Sequence, residues 1–414
     1  MQKKKNIFII SILVLIVIGY AAAGQLQGLF VDTVGTSGKT FAELADEVME
    51  ACAEENNAPH CYDTEIPRLM DKGLTMEEAF QVTVKVQERD PSYFYCHVLG
   101  HNLSAKEAAK DLSKWTEVIA RAPTGVCSNG AIHGAFQERF RDKVFVGEEL
   151  QELIPQLDTI CENSEAKTFT GLEQASCYHA LGHLSMYITD AHISEATGVC
   201  DQVAKKGERD YTQTCYEGAY MQIFQPLEPE DFALVEDIEP ETQAEAEAFC
   251  RTFSGERRAA CHRESWPLYR EELSDPNLLQ RFCNLVPDGQ SMHRCYNAMF
   301  YVLTAQFNFD ASRIVPICEG LPQERQGQCF ANSASRFIET DYRLASRAVD
   351  LCEIAEEHGV GQRCYDELLF YSTFNFIPDS EPFKTFCRTL PEPWSTQCLN
   401  KEGYNIQPNA NDIQ

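Results

Sequence analysis

Ten cysteines in the C-terminal half of this 414-residue chain fall on two interleaved lattices with one period. Cys261, Cys295, Cys329, Cys364 and Cys398 step by 34, 34, 35 and 34 residues, and Cys250, Cys283, Cys318, Cys352 and Cys387 by 33, 35, 34 and 35. A period near 34 is the length of one helix-turn-helix unit, which buries its apolar face only against its neighbours. The text between the cysteines reads as helix. An apolar-rich stretch follows each first-set cysteine, as in Cys295-YNAMFYVLTAQF and Cys364-YDELLFYSTF. An aspartate then stands mid-unit at Asp275, Asp310, Asp341 and Asp379. Aspartate there is a helix N-cap signal, because its carboxylate accepts the orphan amides of the first turn. A second periodic stretch leads to the closing cysteine, as Leu344, Ala348 and Leu351 lead to Cys352. Pro267 and Pro316 fall inside expected helices, which should be short or kinked there.

The N-terminal half follows the same template more loosely. Cys177-YHALGHLSMYITD carries Asp190 mid-unit and closes at Cys200. Cys215-YEGAYMQIF is followed by an acidic insertion around residues 228–248 before Cys250. Cys127-SNGAIHGAF closes at Cys161, and Cys52 and Cys61 stand as the first closing and opening pair. The expected fold is therefore all-α: a disulfide-stapled array of helical hairpins, an α-solenoid, behind an N-terminal membrane anchor or signal peptide. The expected boundaries are 1–24 for the anchor or signal, 25–40 for a linker, 41–260 for histidine-bearing repeats, 261–402 for the regular repeats and 403–414 for a disordered tail.

The export reading comes from the N-terminus. Lys3, Lys4 and Lys5 precede an apolar run from Ile7 to Ala23. Lysines beside such a run stay cytoplasmic, and the chain beyond the run lies outside. The run is barely long enough to span a bilayer, and Ala21 and Ala23 form a small-residue cleavage signal, so both an anchor and a cleaved signal peptide remain open. Eighteen cysteines, an even number, in an exported chain argue for disulfides. No CxxC occurs, which removes zinc ribbons, thioredoxin-like motifs and haem attachment. With 35 Lys+Arg against 63 Asp+Glu the chain has no nucleic-acid footprint.

Two pairing schemes compete. In the preferred one each closing cysteine bonds the next opening cysteine, giving Cys52–Cys61, Cys161–Cys177, Cys200–Cys215, Cys250–Cys261, Cys283–Cys295, Cys318–Cys329, Cys352–Cys364 and Cys387–Cys398, with Cys96 and Cys127 left to each other. In the rival, the opening and closing cysteines of one hairpin bond, which leaves Cys52, Cys61, Cys96 and Cys398 without partners. Cysteines at helix ends with a period in the mid-thirties resemble the cysteine-rich tetratricopeptide-like repeat proteins of bacteria, over about residues 170–400. The Gly-x-Gly signature of that family's inter-helix turn does not recur from unit to unit. The resemblance implies an α-solenoid and, by analogy, a binding role.

Five of ten histidines occupy matching places. His97-VLG-His101 and His179-ALG-His183 are one motif, HxLGH, and His133 lies six residues after Cys127 as His183 lies six after Cys177. Residues i and i+4 share a helix face, so each motif presents two imidazoles side by side. Such pairs are half-sites for zinc, copper, nickel or iron. HxLGH lacks the glutamate of HExxH and with it a metalloprotease's general base. Glu217, two residues after Cys215, is the first candidate carboxylate donor; Glu138, Glu173 and Asp190 come after it. The glycine before the second histidine could admit a neighbouring helix or a ligand. Later units hold Arg263 and Pro267, Asn297 and Tyr301, Ala331 and Ser335, Asp366 and Phe370 at the matching positions, so the histidines are confined to neighbouring units. Histidines that merely bond carbonyls or line a polar groove, or that form a pH-sensitive surface, are the competing readings. Two functions are compatible with this pattern: a scaffold that binds a protein or glycan partner outside the membrane, or a transition-metal (zinc, copper or iron) protein or metalloenzyme built on His97, His101, His133, His179, His183 and Glu217.

Overall fold

The computed structural model describes residues 38–405 except positions 91, 94, 141–142, 208, 228 and 287–288. The expected anchor and most of the linker, with the tail after residue 405, lie outside the described residues. Among those residues no helix is long and apolar enough to cross a membrane. The chain divides into two compact units after Tyr93. Packing is continuous through residue 260 within the second unit, where the histidine-bearing and the regular repeats meet.

The first unit holds α1 (Phe41–Ala51), α2 (Ala58–Asp71) and α3 (Met76–Arg89). Thr40 with Glu43, and Thr75 with Glu78, form capping boxes that satisfy the first amides of α1 and α3. Ala45, Val48, Ile66, Phe80 and Val86 bury the faces the three helices share.

The second unit contains α4 (His97–Ala108), α5 (Trp115–Arg121), α6 (Gly130–Phe140), α7 (Glu148–Ile160), α8 (Gly171–Ile188), α9 (Ile193–Val203), α10 (Thr212–Phe224) and α11 (Pro229–Val235). It continues with α12 (Gln243–Cys250), α13 (Gly255–Glu264), α14 (Pro276–Cys283), α15 (Gly289–Gln306), α16 (Ala311–Gly320), α17 (Gln323–Thr340), α18 (Ala345–Glu357), α19 (Gly361–Asn375), α20 (Glu381–Thr389) and α21 (Trp394–Leu399). Among the described residues only a two-residue ribbon, Lys205–Lys206 with Arg209–Asp210, is strand. The helices that open the hairpins pack in sequence, α4 on α6, α6 on α8, α8 on α10, α10 on α13, α13 on α15, α15 on α17 and α17 on α19. The array also returns on itself. α19 packs on α8, where a side chain at Gly171 would put its Cβ 2.3 Å from the Phe374 ring, and α17 meets the turn Cys127–Asn129.

All nine disulfides follow the preferred scheme, Cys96–Cys127 included. Eight close loops of 9–16 residues; Cys96–Cys127 spans 31. So many intramolecular disulfides place the chain in an oxidising environment, extracytoplasmic or secreted. The rule works because the end of one hairpin and the start of the next meet across a short loop, with Cα atoms 5.3–5.7 Å apart in those eight. The capping expectation holds at Asp275, Asp310 and Asp341, whose carboxylates accept from amides two residues on. It fails at Asp379 and Asp190. Both sit in the left-handed region, at φ 65° and 50°, so Ser380 caps α20 instead and α9 starts after His192 without a side-chain cap. Pro316 lies inside α16, whereas α13 ends at Glu264 and Pro267 falls in a short 3-10 turn.

Candidate metal centre

Backbone contact between helices assembles the histidines. The glycine of each HxLGH faces the next opening helix: a Cβ at Gly100 would lie 3.0 Å from Ala131 N, and one at Gly182 2.0 Å from the Cys215 carbonyl oxygen. The partner helices answer with glycines of their own. A Cβ at Gly130 would lie 2.2 Å from the His97 carbonyl oxygen, at Gly134 2.1 Å from that of His101, and at Gly218 1.9 Å from that of His179. Only glycine permits this approach, which brings side chains of adjacent helices within the length of one imidazole. The disulfide Cys96–Cys127 ties α4 to the turn before α6. That turn, Cys127, Ser128 and Asn129, runs through three consecutive left-handed residues at φ 51°, 49° and 58°. Non-glycine residues there cost roughly 1–2 kcal/mol each, and such strain persists where the surroundings over-determine it, often at functional sites.

The five imidazoles form one continuous cluster. Ring centroids lie 4.7 Å apart for His97–His101, 4.9 Å for His97–His133 and 5.0 Å for His101–His133. His133 stands 5.8 Å from His179 and 5.5 Å from His183, which are 4.9 Å from each other. Within each motif the Nε2 atoms converge, at 3.1 Å in His97–His101 and 3.2 Å in His179–His183. His97, His101 and His133 each offer a nitrogen within 4.8 Å of the others. Two nitrogens bound to one tetrahedral ion at about 2.05 Å stand about 3.3 Å apart, so both pairs are close to the spacing a shared ion needs.

The outer nitrogens are engaged by the protein. Gln222 Oε1 lies 2.7 Å from His183 Nδ1 and so accepts its proton, which leaves the Nε2 lone pair facing His179. The backbone at Thr214 supports the His179 ring, and that at Cys127 and Ser128 the His97 ring. His97 Nδ1 nonetheless lacks a partner of good hydrogen-bond geometry among the described residues. Burial holds all five rings below the usual histidine range, His97 down to about 4, and their mutual repulsion adds to it in His97, His101, His133 and His179. The rings are therefore neutral at physiological pH, the state a metal ligand requires.

The carboxylate candidates stand apart. Glu217 is ion-paired with Arg263. Glu173 is spent on the capping box of α8 and an ion pair with Lys167 at 2.8 Å. Asp190 lies in the turn after α8. Among the described residues the group whose ligand atoms all converge within 4.8 Å is His97, His101 and His133; the carboxylate candidates, Glu138 included, lie outside it, and His179 and His183 join the cluster through His133. Of the unassigned histidines, His262 bonds the Phe282 carbonyl and His192 that of Thr189, both at 2.8 Å.

Three neighbours escaped the sequence reading. Gln222 lies on α10, in register with the second motif. Tyr95 stacks on His97 with centroids 5.8 Å apart. Arg336, on α17, acts electrostatically on both His97 and Tyr95. Tyr95 precedes Cys96, and Arg336 sits seven residues after the opening Cys329, outside the second and sixth positions that the histidines occupy. Asp231 acts electrostatically on His183, and an array of neutral imidazoles suits borderline transition ions such as zinc, copper, nickel and iron. No family model matches the chain, and no curated protein and no solved structure shows significant similarity to it.

Proposed function

We propose that the protein is an exported transition-metal-binding protein whose site is His97, His101, His133, His179 and His183, for transport and storage or as a catalytic centre. One observation carries the reading: two Nε2 pairs at 3.1 and 3.2 Å, bridged by His133, among rings held neutral. Isolated histidines such as His262 and His192 each bond one backbone carbonyl, whereas these rings also face one another while Gln222 engages the outer nitrogen of His183. Zinc, copper and iron are the candidate ions. In this reading the hairpins form an α-solenoid that brackets the site, and the N-terminal segment anchors the protein to the membrane or, if cleaved, releases it. A scaffold role for a protein or glycan partner has one observation of its own, the exposed Val144 and Val146 beside a surface groove at Phe145 and Leu153.

Metal analysis of untagged, non-reduced protein tests the proposal after zinc, copper and iron loading in turn. Stoichiometric metal in the wild type, lost in the double variant His101→Ala/His183→Ala, is expected. Absence of stoichiometric metal after all three loadings would remove the reading.

A further inference from the structure

A second polar group faces the imidazoles. α17 meets the turn Cys127–Asn129 and α19 lies on α8, which brings Arg336 into electrostatic range of His97 and Tyr95. Arg336 is 3% exposed, yet its Nε and Nη1 have no hydrogen-bond partner among the described residues. Its guanidinium carbon lies 3.1 Å from the centroid of the Tyr301 ring, which stacks on it without neutralising it. Glu339, nearly one turn on, acts electrostatically on Arg336, while its carboxylate accepts hydrogen bonds from Tyr371 and Ser335. Thr340 follows Arg336 by four residues on α17, and Asn375 follows Tyr371 by four on α19, so each shares a helix face with its predecessor. Thr340 Oγ1 and both polar atoms of Asn375 are likewise buried without partners among the described residues. Tyr95 completes the wall. It is 48% exposed, and its ring stacks on that of His97 with centroids 5.8 Å apart.

Buried polar groups in folded proteins are nearly always bonded, and a buried guanidinium with unbonded N–H groups is a costly kind to leave alone. Arginine's planar fork matches the geometry of carboxylate and phosphate oxygens. Asn375 adds a donor and an acceptor, and Thr340 a hydroxyl. We infer that Arg336, Thr340, Asn375 and Tyr95 form a binding site for a small oxyanion, a carboxylate or a phosphate, on the wall that faces the histidine cluster. This goes beyond the metal reading and does not need it: the site is built from residues that are not metal ligands.

Calorimetric titration of the full chain with inorganic phosphate and, separately, with acetate tests the site, on metal-stripped and metal-loaded samples of measured metal content. One anion is expected to saturate at one per chain in both samples, phosphate marking a phosphate site and acetate a carboxylate site. Arg336→Gln should weaken that binding at least roughly tenfold, as for loss of a charge-assisted hydrogen bond, and Arg336→Lys should restore only part of it. Asn375→Ala removes two unpartnered buried atoms, so it should fold well and also weaken binding; it decides the matter if Arg336→Gln does not fold. No saturable binding of either anion to the wild type, or unchanged affinity in the variants that fold, would overturn the inference. Metal bound without anion binding sinks this inference alone, and anion binding without metal sinks the metal reading alone.

Discussion

Gly134→Ala tests whether backbone contact between α4 and α6 sets the metal site. The new Cβ would lie 2.1 Å from the His101 carbonyl oxygen and 2.5 Å from Ser104 Oγ. The serine hydroxyl can rotate away, but the carbonyl belongs to helix backbone. Restoring an ordinary contact near 3.4 Å requires α6 to retreat by about 1.3 Å. Overpacking of this kind costs about 1–3 kcal/mol, to be read as a lowered denaturant midpoint. His133 travels with α6, and metal bonds tolerate only about 0.2 Å, so His133 is lost as a ligand. His97 and His101 share α4 and keep their 3.1 Å spacing. Affinity should therefore fall by about ten- to hundredfold without vanishing, measured by competition against a chromophoric chelator. Adding His133→Ala to Gly134→Ala should weaken binding no further, because both changes remove the same ligand. A Gly134→Ala protein with wild-type affinity and stability would refute the reasoning, as would a double variant much weaker than either single one.

Cys387→Ser/Cys398→Ser opens the last staple, a loop of 11 residues, and should cost about 2–3 kcal/mol in the chain-entropy account, read by denaturant unfolding, with metal content unchanged. Cys96→Ser/Cys127→Ser, by contrast, should lower metal content, because that bond holds the left-handed turn between α4 and α6. In the first unit, burial pushes the Asp63 carboxyl up to about 6, against a hydrogen bond from Tyr93 that acts the other way. The folded state then holds this proton more tightly than the unfolded chain, so the contribution of Asp63 is fully present below about pH 4 and is lost as pH rises through about 6. Asp63→Asn should abolish that loss and slow hydrogen exchange of residues 58–93 at pH 7.5 relative to wild type; equal exchange in the two proteins would contradict it.

Cysteine spacing carried most of what was legible. A period of 34 residues with paired lattices specified helical hairpins, and the short closing-to-opening intervals specified which sulfurs meet, because a loop of about ten residues leaves few geometric choices. The two HxLGH motifs and His133 were legible for the same reason, since helical periodicity alone puts i and i+4 on one face. Glu217 matches His179 in sequence register, but the next unit supplies Arg263, and the ion pair between them takes the carboxylate. The N-cap expected at Asp379 fails because its backbone turns left-handed two residues before the helix begins.

By itself, then, the sequence determined local matters: the helices, the order of the staples and the two imidazole pairs. Tertiary structure alone decided what surrounds those pairs. Whether α4, α6 and α8 come close enough to merge two pairs and one lone histidine depends on glycines meeting carbonyl oxygens across helices, a distance that no periodicity encodes. Arg336 acts electrostatically on His97 from 239 residues away because α17 returns to the turn before α6 and α19 to α8, and repeat spacing specifies neighbours but not where the array meets itself.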